Sequence, residues 1–219
     1  MRLDPGWIVE NLDRIGELLV EHLYLTGIAV GIGLVISFAL ALLVRNSPRL
    51  YGPIVAVTGT LYAIPSLALF ALLTPITGLG TILTAEIALV SYTLLILVRN
   101  MVEGLRGVPA EAVEAATGMG YTPAQRLLQV ELPLALPVIV AGIRIATVTT
   151  IGLVTVTALI GLGGLGYLIV TIGMNRGSFG LTAALTGIVL AVALAVLADL
   201  LLLAAQRRLT PWARRRAAS

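Results

Sequence analysis

Leu23–Val44, with the sequence LYLTGIAVGIGLVISFALALLV, is a run of 22 residues without a charged side chain. In an α-helix, about 20 apolar residues cover the roughly 30 Å hydrocarbon core of a bilayer. This run therefore predicts a membrane-spanning helix. Uncharged stretches of similar length recur along the chain. Together they predict an all-α, polytopic membrane protein with about five transmembrane helices, at about 23–44, 52–74, 79–98, 137–159 and 180–205.

The composition of the whole chain indicates the same class. Of its 219 residues, 58% are hydrophobic and only 11% are charged, and the mean hydropathy is +1.04. A soluble domain carries about 25% charged residues, so a fully water-exposed surface and intrinsic disorder are both excluded. The length corresponds to a single domain.

Several enzyme classes are excluded because the residue types that they need are missing. The chain has no Cys, no Lys and a single His, His22. This excludes disulfides, thiolate nucleophiles, Schiff-base lysines and multi-histidine metal centres. A Walker A loop is also excluded, because its Lys must reach the nucleotide phosphates. We expect no catalytic residue, cofactor or metal on this chain. If ATP drives the protein, another chain hydrolyses it.

The distribution of arginine predicts the orientation, because cytoplasmic loops carry an excess of positive charge. Five spans place the two termini on opposite sides. If the loop 45–51, the segment 99–136 and the tail from 206 are cytoplasmic, ten arginines lie inside: Arg45, Arg49, Arg99, Arg106, Arg126, Arg207, Arg208, Arg214, Arg215 and Arg216. Only Arg2, Arg14 and Arg176 lie outside. The N-terminus is therefore predicted outside and the C-terminus in the cytoplasm.

The segment 99–136 carries the most specific local patterns. Val108-Pro109-Ala110-Glu111 predicts a helix start, because Pro is tolerated in the first turn. Thr122-Pro123 predicts a second start, with the Thr side chain as the N-cap. Thr117-Gly118-Met119-Gly120 breaks the chain between them. We therefore expect two short helices that are joined by a sharp glycine turn.

The same segment resembles the "EAA" loop of the permeases of ABC importers. Its residues reproduce the pattern E-A-A-x3-G-x9-I-x-L-P, and Val130 in place of Ile is the only departure. The resemblance implies a cytoplasmic coupling helix that docks on a separate ATP-binding subunit. The docking element would comprise Glu114, Ala115, Ala116, Gly120, Leu132 and Pro133. Glycine at position 120 suits a turn with positive φ.

The resemblance also implies the organisation and the partners of the chain. It implies a permease rather than an enzyme, in a bacterial plasma membrane, with ATP and Mg held by two ATP-binding subunits. Its other partners would be a second permease chain, identical or paralogous, an external substrate-binding protein and membrane lipid. The resemblance implies no binding of nucleic acid. The permease domain would cover 21–205, between a short external segment, 1–20, and a basic cytoplasmic tail, 206–219.

Three further stretches resemble the permeases of osmoprotectant importers: Tyr62–Leu69 (YAIPSLAL), Val98-Arg99-Asn100 and Ile160–Gly166 (IGLGGLG). That group implies inward transport of glycine betaine, carnitine or choline by alternating access. A related importer for another betaine-like or amino-acid-like solute is one alternative. From other classes, an ion-coupled secondary transporter and a small channel or membrane scaffold stay open. No inverted repeat is visible, which counts against the secondary transporter.

Polar and aromatic residues are sparse in the spans, and those of the second and third spans are candidates for a translocation path. Aromatic faces attract quaternary ammonium ions, which makes Tyr62 and Tyr92 candidate lining residues. Pro65 should kink its helix, and Ser66 and Glu86 are the other candidates. The alternative for both tyrosines is ordinary packing, with the hydroxyl bonded to a backbone carbonyl.

Three ionisable residues lie inside the predicted spans, where charge is costly and a functional role is the default expectation. Arg144 and Asp199 lie at similar depths from the cytoplasmic ends of the fourth and fifth spans. Equal depth predicts a structural ion pair rather than a proton relay. Glu86 has no such partner, and two explanations stay open: it extends outward to the membrane surface, or it faces a water-filled path.

Two glycine patterns have simpler interpretations than a ligand site. Gly161–Gly166 satisfies G-x-G-x-x-G, but a dinucleotide site needs a strand before this motif and an acidic residue about 20 positions after it. We interpret it as an outer turn that lets helices approach closely. Gly27 and Gly31 form G-x-x-x-G, which suits packing within the chain or against another subunit. His22 lies at the outer edge of the first span, where solvation is expected.

Overall fold

The computed structural model describes residues 3–174, 177 and 179–212. Arg2, Arg176 and Arg214, Arg215 and Arg216, which contribute to the predicted charge distribution, lie outside the described residues.

The described part of the chain is helical throughout, as the hydropathy predicts. Its nine α-helices are α1 (Pro5–Glu10), α2 (Leu12–Asn46), α3 (Tyr51–Ala63), α4 (Ser66–Thr77), α5 (Ile82–Arg106), α6 (Ala110–Gly118), α7 (Pro123–Arg126), α8 (Leu132–Val154) and α9 (Gly180–Leu209). Two 3₁₀ segments, Pro48–Leu50 and Thr155–Ile160, and two π-helical segments, Leu127–Glu131 and Tyr167–Ile172, complete the described helical structure.

Four helical stretches are long and apolar enough to cross a bilayer: Leu12–Asn46, Ile82–Arg106, Pro123–Ile160 and Gly180–Leu209. A fifth candidate is the pair Pro48–Ala63 and Ser66–Thr77, which is bent by 94°. The all-α membrane fold with about five spans is therefore confirmed.

The second span is not the single helix that was predicted over 52–74. The helix stops at Ala63, and a new one begins at Ser66. Pro65 lacks the N–H of a regular helix and disfavours helical geometry at Ile64, whose backbone is extended, with φ −66° and ψ 126°. Proline thus separates two helices here rather than kinking one.

Other predicted boundaries also change. Helix α4 continues three residues beyond the predicted end at 74, with Pro75 inside it, and the chain reverses at Gly78 and Gly80, which have φ of 94° and 70°. Residues 12–20, predicted as part of an external segment, form the first turns of α2. The fourth span continues a helical stretch that starts at Pro123 rather than at 137.

Helix α5 is the centre of the bundle. It packs against α2, α3, α4 and α8, whereas α9 packs against α8 and the segment 167–172. Half of the most apolar window of α5 is buried, compared with 6% in α9. The bundle has two ends, which we name by their contents. The arginine-rich end contains Arg45 and α6, and the glycine-loop end contains residues 161–166.

Candidate functional site

The turn after α6 is built as a Schellman motif, in which the last carbonyls of a helix are satisfied by two amides beyond it. The Tyr121 N–H bonds to the Ala116 carbonyl at 3.1 Å, and the Gly120 N–H bonds to the Thr117 carbonyl at 3.0 Å. The motif needs a residue with positive φ, which glycine adopts without a Cβ penalty. Gly120 has φ of 82°. Glycine at this position thus terminates α6 and turns the chain.

The chain restarts at Thr122 through a capping box. The Thr122 hydroxyl accepts a bond from the Gln125 amide, and the Gln125 side chain accepts one from the Thr122 amide at 2.9 Å. The second short helix that was predicted here does not end. It runs through the π-helical segment 127–131 into α8. Regular α-helical bonding is interrupted here because Pro133 supplies no N–H to bond to the Gln129 carbonyl.

Among the six proposed docking residues, the exposed ones face away from the bundle. Glu114, Ala115 and Gly120 are exposed, and Ala116 is buried on the inner face of α6. Within the described residues Glu114 makes no hydrogen bond or ion pair, so its carboxylate does not hold the amides of its own loop. Leu132 and Pro133 lie at the start of α8 and are half-buried.

A buried carboxylate beside this loop was missed by the sequence reasoning. Glu131 accepts two bonds from Arg45, at 2.7 and 2.8 Å, and one from Arg126 at 2.9 Å. Arg126 also donates to the Thr117 hydroxyl at 3.1 Å. Only the charge of Glu131 in an otherwise apolar run hinted at this role, because Arg45 lies 86 residues away. We call Arg45, Glu131 and Arg126 the arginine clamp.

Arg144 and Asp199 form a second, separate ion pair that joins α8 to α9. Two parallel bonds of 2.8 Å join the guanidinium group to the carboxylate. Gln206 of α9 adds another bond between the two helices, because its side-chain amide donates to the Pro137 carbonyl of α8 at 2.9 Å. The structure thus brings together the two residues that equal depth predicts as a pair.

The glycine loop at the opposite end is held by the beginning of α2. The amides of Gly163 and Gly164 donate to the Glu21 carboxylate at 3.2 and 3.1 Å. The amide of Leu165 donates to Nδ1 of His22 at 3.2 Å. A Cβ on Gly166 would overlap the backbone of Thr155. The glycines therefore permit close approach of backbones.

The expectation that His22 is solvated is wrong. Its exposure is zero, and its Nε2 lies 3.0 Å from the Ile151 carbonyl. Because Nδ1 accepts a bond, the proton is assigned to Nε2, which then donates to Ile151. The apolar packing of α2 on α8 encloses the ring, and both nitrogens find backbone partners.

Four of the five candidate path residues meet at the break between α3 and α4. The rings of Tyr62 and Tyr92 pack edge to face with centroids 5.9 Å apart. The Tyr92 hydroxyl donates to the Ile64 carbonyl, beside Pro65 and the start of α4 at Ser66. Tyr92 therefore follows the packing alternative, whereas Tyr62 is 39% exposed, so that part of its surface stays accessible beside Tyr92.

Glu86 does not join this group. It lies six positions before Tyr92, which turns it to a different face of α5 by about 120°. It is 7% exposed, so it does not extend to the surface, and both carboxylate oxygens lack a partner in the described structure.

Gly27 and Gly31 have no neighbour within 4 Å of a Cβ position, so this pair does not serve packing within the chain.

A bundle of helices long and apolar enough to cross a bilayer, with a capped helix exposed between two of them, is the architecture expected of a membrane-embedded permease. The chain belongs to the family described as binding-protein-dependent transport system inner membrane component, which residues 30–211 match. It is a permease subunit of an ABC importer.

Relatives match along nearly the whole chain. The choline transport system permease protein OpuBB of Bacillus subtilis is 36% identical, with 90% of each chain covered. The osmoprotectant import permease protein OsmW of Salmonella typhimurium is 37% identical, with 94% of this chain and 96% of the relative covered. Among solved structures, an inward-facing form of the MetNI methionine ABC transporter gives a TM-score of 0.77 at 27% identity, covering 90% of this chain and 96% of that chain.

Proposed function

We propose that this permease imports quaternary-ammonium osmoprotectants of the glycine betaine, choline and carnitine class. The relatives named for choline and osmoprotectant transport support this substrate class. The structural observation that carries it is the exposed ring of Tyr62 at the broken helix. A ring face attracts a quaternary ammonium group by about 0.5–2 kcal/mol.

The end of α3 adds to this attraction. A helix C-terminus carries a partial negative charge of about half an elementary charge, and α3 ends one residue after Tyr62. The chain has no charged side chain between Arg49 and Glu86, so no basic group near this break in sequence repels a cation. In transporters, half-helix ends of this kind commonly face the transported ion.

The proposed assembly contains two permease chains, two ATP-binding subunits that hold ATP and Mg, and an external substrate-binding protein. The exposure of Glu114 and Ala115 on α6, and of Gly120 in the turn that ends it, supports docking of an ATP-binding subunit at this loop. Leu132 and Pro133 would set how the loop joins α8. Closure of the ATPase pair would then change the side from which the Tyr62 region is accessible.

The substrate proposal is tested by uptake into vesicles that contain the full complex. We expect ATP-dependent uptake of labelled choline or glycine betaine that persists when ion gradients are collapsed. Tyr62→Leu should raise KM roughly 2- to 30-fold, and Tyr62→Phe should not, because a phenyl face retains the attraction. Tyr24→Leu is the matched control, since Tyr24 is an exposed tyrosine on another helix. Loss of uptake with the ion gradient, or an unchanged KM for Tyr62→Leu, would contradict the proposal.

The proposed orientation puts the arginine-rich end in the cytoplasm and the N-terminus outside. Because the chain has no native Cys, single cysteines at Glu10 and Ala217 can be labelled selectively. An impermeant thiol reagent added outside should label position 10 and not position 217. Labelling of both positions from one side would contradict an odd number of spans.

Coupling through α6 is tested at its terminal turn. Gly120→Val forces a β-branched residue to positive φ, which opens the Schellman turn at a cost of about 1–2 kcal/mol. Gly118→Val is the control, because Gly118 is also exposed and uncrowded but has helical φ. We expect normal membrane insertion and loss of uptake for Gly120→Val alone. Wild-type uptake and wild-type stimulation of ATP hydrolysis in Gly120→Val would exclude this loop as the coupling element.

A further inference from the structure

The arginine clamp concentrates three charges in one half-buried contact. Glu131 is only 6% exposed, and both of its carboxylate oxygens accept bonds from guanidinium groups at 2.7 to 2.9 Å. Arg45 contributes two parallel bonds, a geometry that fixes both side chains in direction as well as in distance. A carboxylate that is saturated in this way holds its partners rigidly.

The clamp connects elements that are far apart in sequence. Arg45 is in the last turn of α2, and Glu131 ends the π-helical segment that leads into α8. Arg126 bridges to Thr117, in the last turn of α6. The main packing contacts of α6 are with α7 and the segment 127–131. A displacement of α6 therefore acts on the bundle largely through the residues that the clamp ties to α2.

Rupture of such a contact is costly when one partner remains. Removing one member of a buried ion pair leaves an uncompensated charge, whereas weakening an exposed bond to a neutral hydroxyl has a much smaller effect. The bond between Arg126 and Thr117 is peripheral and exposed, but the bonds between Arg45 and Glu131 are sheltered. The connection from α6 to α2 can therefore be weakened first at the bond between Arg126 and Thr117 and then, at greater cost, at the bonds between Arg45 and Glu131.

We propose that Glu131 is the positioning residue that carries movement of α6 to α2 and α8, so that it sets the coupling between ATP hydrolysis and solute movement. The proposal rests on the proposed function, because it assumes that a separate ATPase acts on α6. Glu131 touches neither solute nor nucleotide in this role. It acts by holding Arg45 and Arg126 in one rigid body.

The test measures ATP hydrolysis and solute uptake side by side in reconstituted complexes. Glu131→Gln keeps the size of the side chain and removes its charge. We expect ATPase binding and basal hydrolysis to persist, while the ATP consumed for each solute molecule rises several-fold. Glu103→Gln is the matched control, because Glu103 pairs with Arg106 at 3.6 Å on the exposed surface of the same segment. It should leave the ratio unchanged.

A gentler pair of variants keeps the test decisive if Glu131→Gln fails to fold. Thr117→Val removes the hydroxyl, which accepts a bond from Arg126 and donates one to the Val113 carbonyl, and Thr117→Ser retains both bonds. We expect a raised ratio, by about two- to threefold, for the Val variant alone, because exposed hydrogen bonds contribute modestly.

The outcomes separate the two proposals. If wild-type vesicles show no ATP-dependent uptake, the proposed function itself fails. If wild type transports but Thr117→Val and Glu131→Gln keep the wild-type ratio, the clamp does not couple, and this inference is overturned. Loss of hydrolysis and uptake in equal proportion would also overturn it, because that result indicates docking rather than transmission.

Discussion

Two parts of α2, the turn around Glu21 and His22 and the last turn, are anchored by different chemistry. At the glycine-loop end, Glu21 and His22 accept bonds from backbone amides of the loop 161–166. At the arginine-rich end, Arg45 is held by the carboxylate of Glu131. The first contact joins side chains to backbone and depends on glycines that leave room, whereas the second joins charged side chains only. A backbone contact of this kind needs one fixed shape, but an ion clamp can be loosened and re-formed.

The largest loss of stability is expected where the backbone of the glycine loop packs directly against the Thr155 backbone. A Cβ at Gly166 would overlap the Thr155 main chain, which cannot move without displacing the end of α8. Gly166→Val should therefore destabilise the fold by about 1–3 kcal/mol or more. Gly152→Val is the control, because no atom lies within 4 Å of a Cβ at Gly152. Thermal unfolding in detergent should separate the two variants, and equal stability would refute close packing of this loop.

A loss of stability of similar size is expected from the histidine of the same end. His22→Phe fills the volume but leaves the Leu165 amide and the Ile151 carbonyl without a partner. Each unsatisfied buried group costs about 1–3 kcal/mol. Protease sensitivity of the loop 161–166 should increase, while the arginine-rich end should stay protected. If both ends loosen together, the two anchors are not independent.

These two ends also show what could be predicted from the sequence. The spans followed from uncharged runs, and the turn at Gly120 followed from the placement of glycine after a helix, because both depend on neighbouring residues. The burial of His22 and the bond between Glu131 and Arg45 depend on residues more than 80 positions away. The Arg144–Asp199 pair was an exception, since helices of known direction allow depth in the membrane to be compared. The break at Pro65 was only half predicted, because sequence does not show whether neighbouring helices restrain a kink.

Variants of Arg144 and Asp199 test whether a second charged contact, between α8 and α9, stabilises the folded protein. Asp199→Ala leaves the guanidinium of Arg144 without its counter-charge, which is unfavourable in lipid. We expect a several-fold lower yield of folded protein. Arg144→Leu combined with Asp199→Leu should recover much of it, because a well-packed apolar pair can replace an ion pair. Yields should be measured by size-exclusion chromatography. Harmless single variants would mean that the pair contributes little.

The smallest effect on stability is expected on α6, where Glu114 has no partner among the described residues. Glu114→Ala should change unfolding by less than about 0.5 kcal/mol, as is usual for exposed positions. Its consequence should appear only in the assembly. An exposed ionic contact with the ATP-binding subunit would contribute about 0–1 kcal/mol, which corresponds to at most about a fivefold loss of affinity.

Titration of the ATP-binding subunit onto permease vesicles measures this difference directly. Glu111→Ala is the matched control, because Glu111 is an exposed acidic residue on the same helix, one turn earlier. Affinity should fall for Glu114→Ala and stay near wild type for Glu111→Ala. If both variants bind equally well, the carboxylate of Glu114 does not face the subunit.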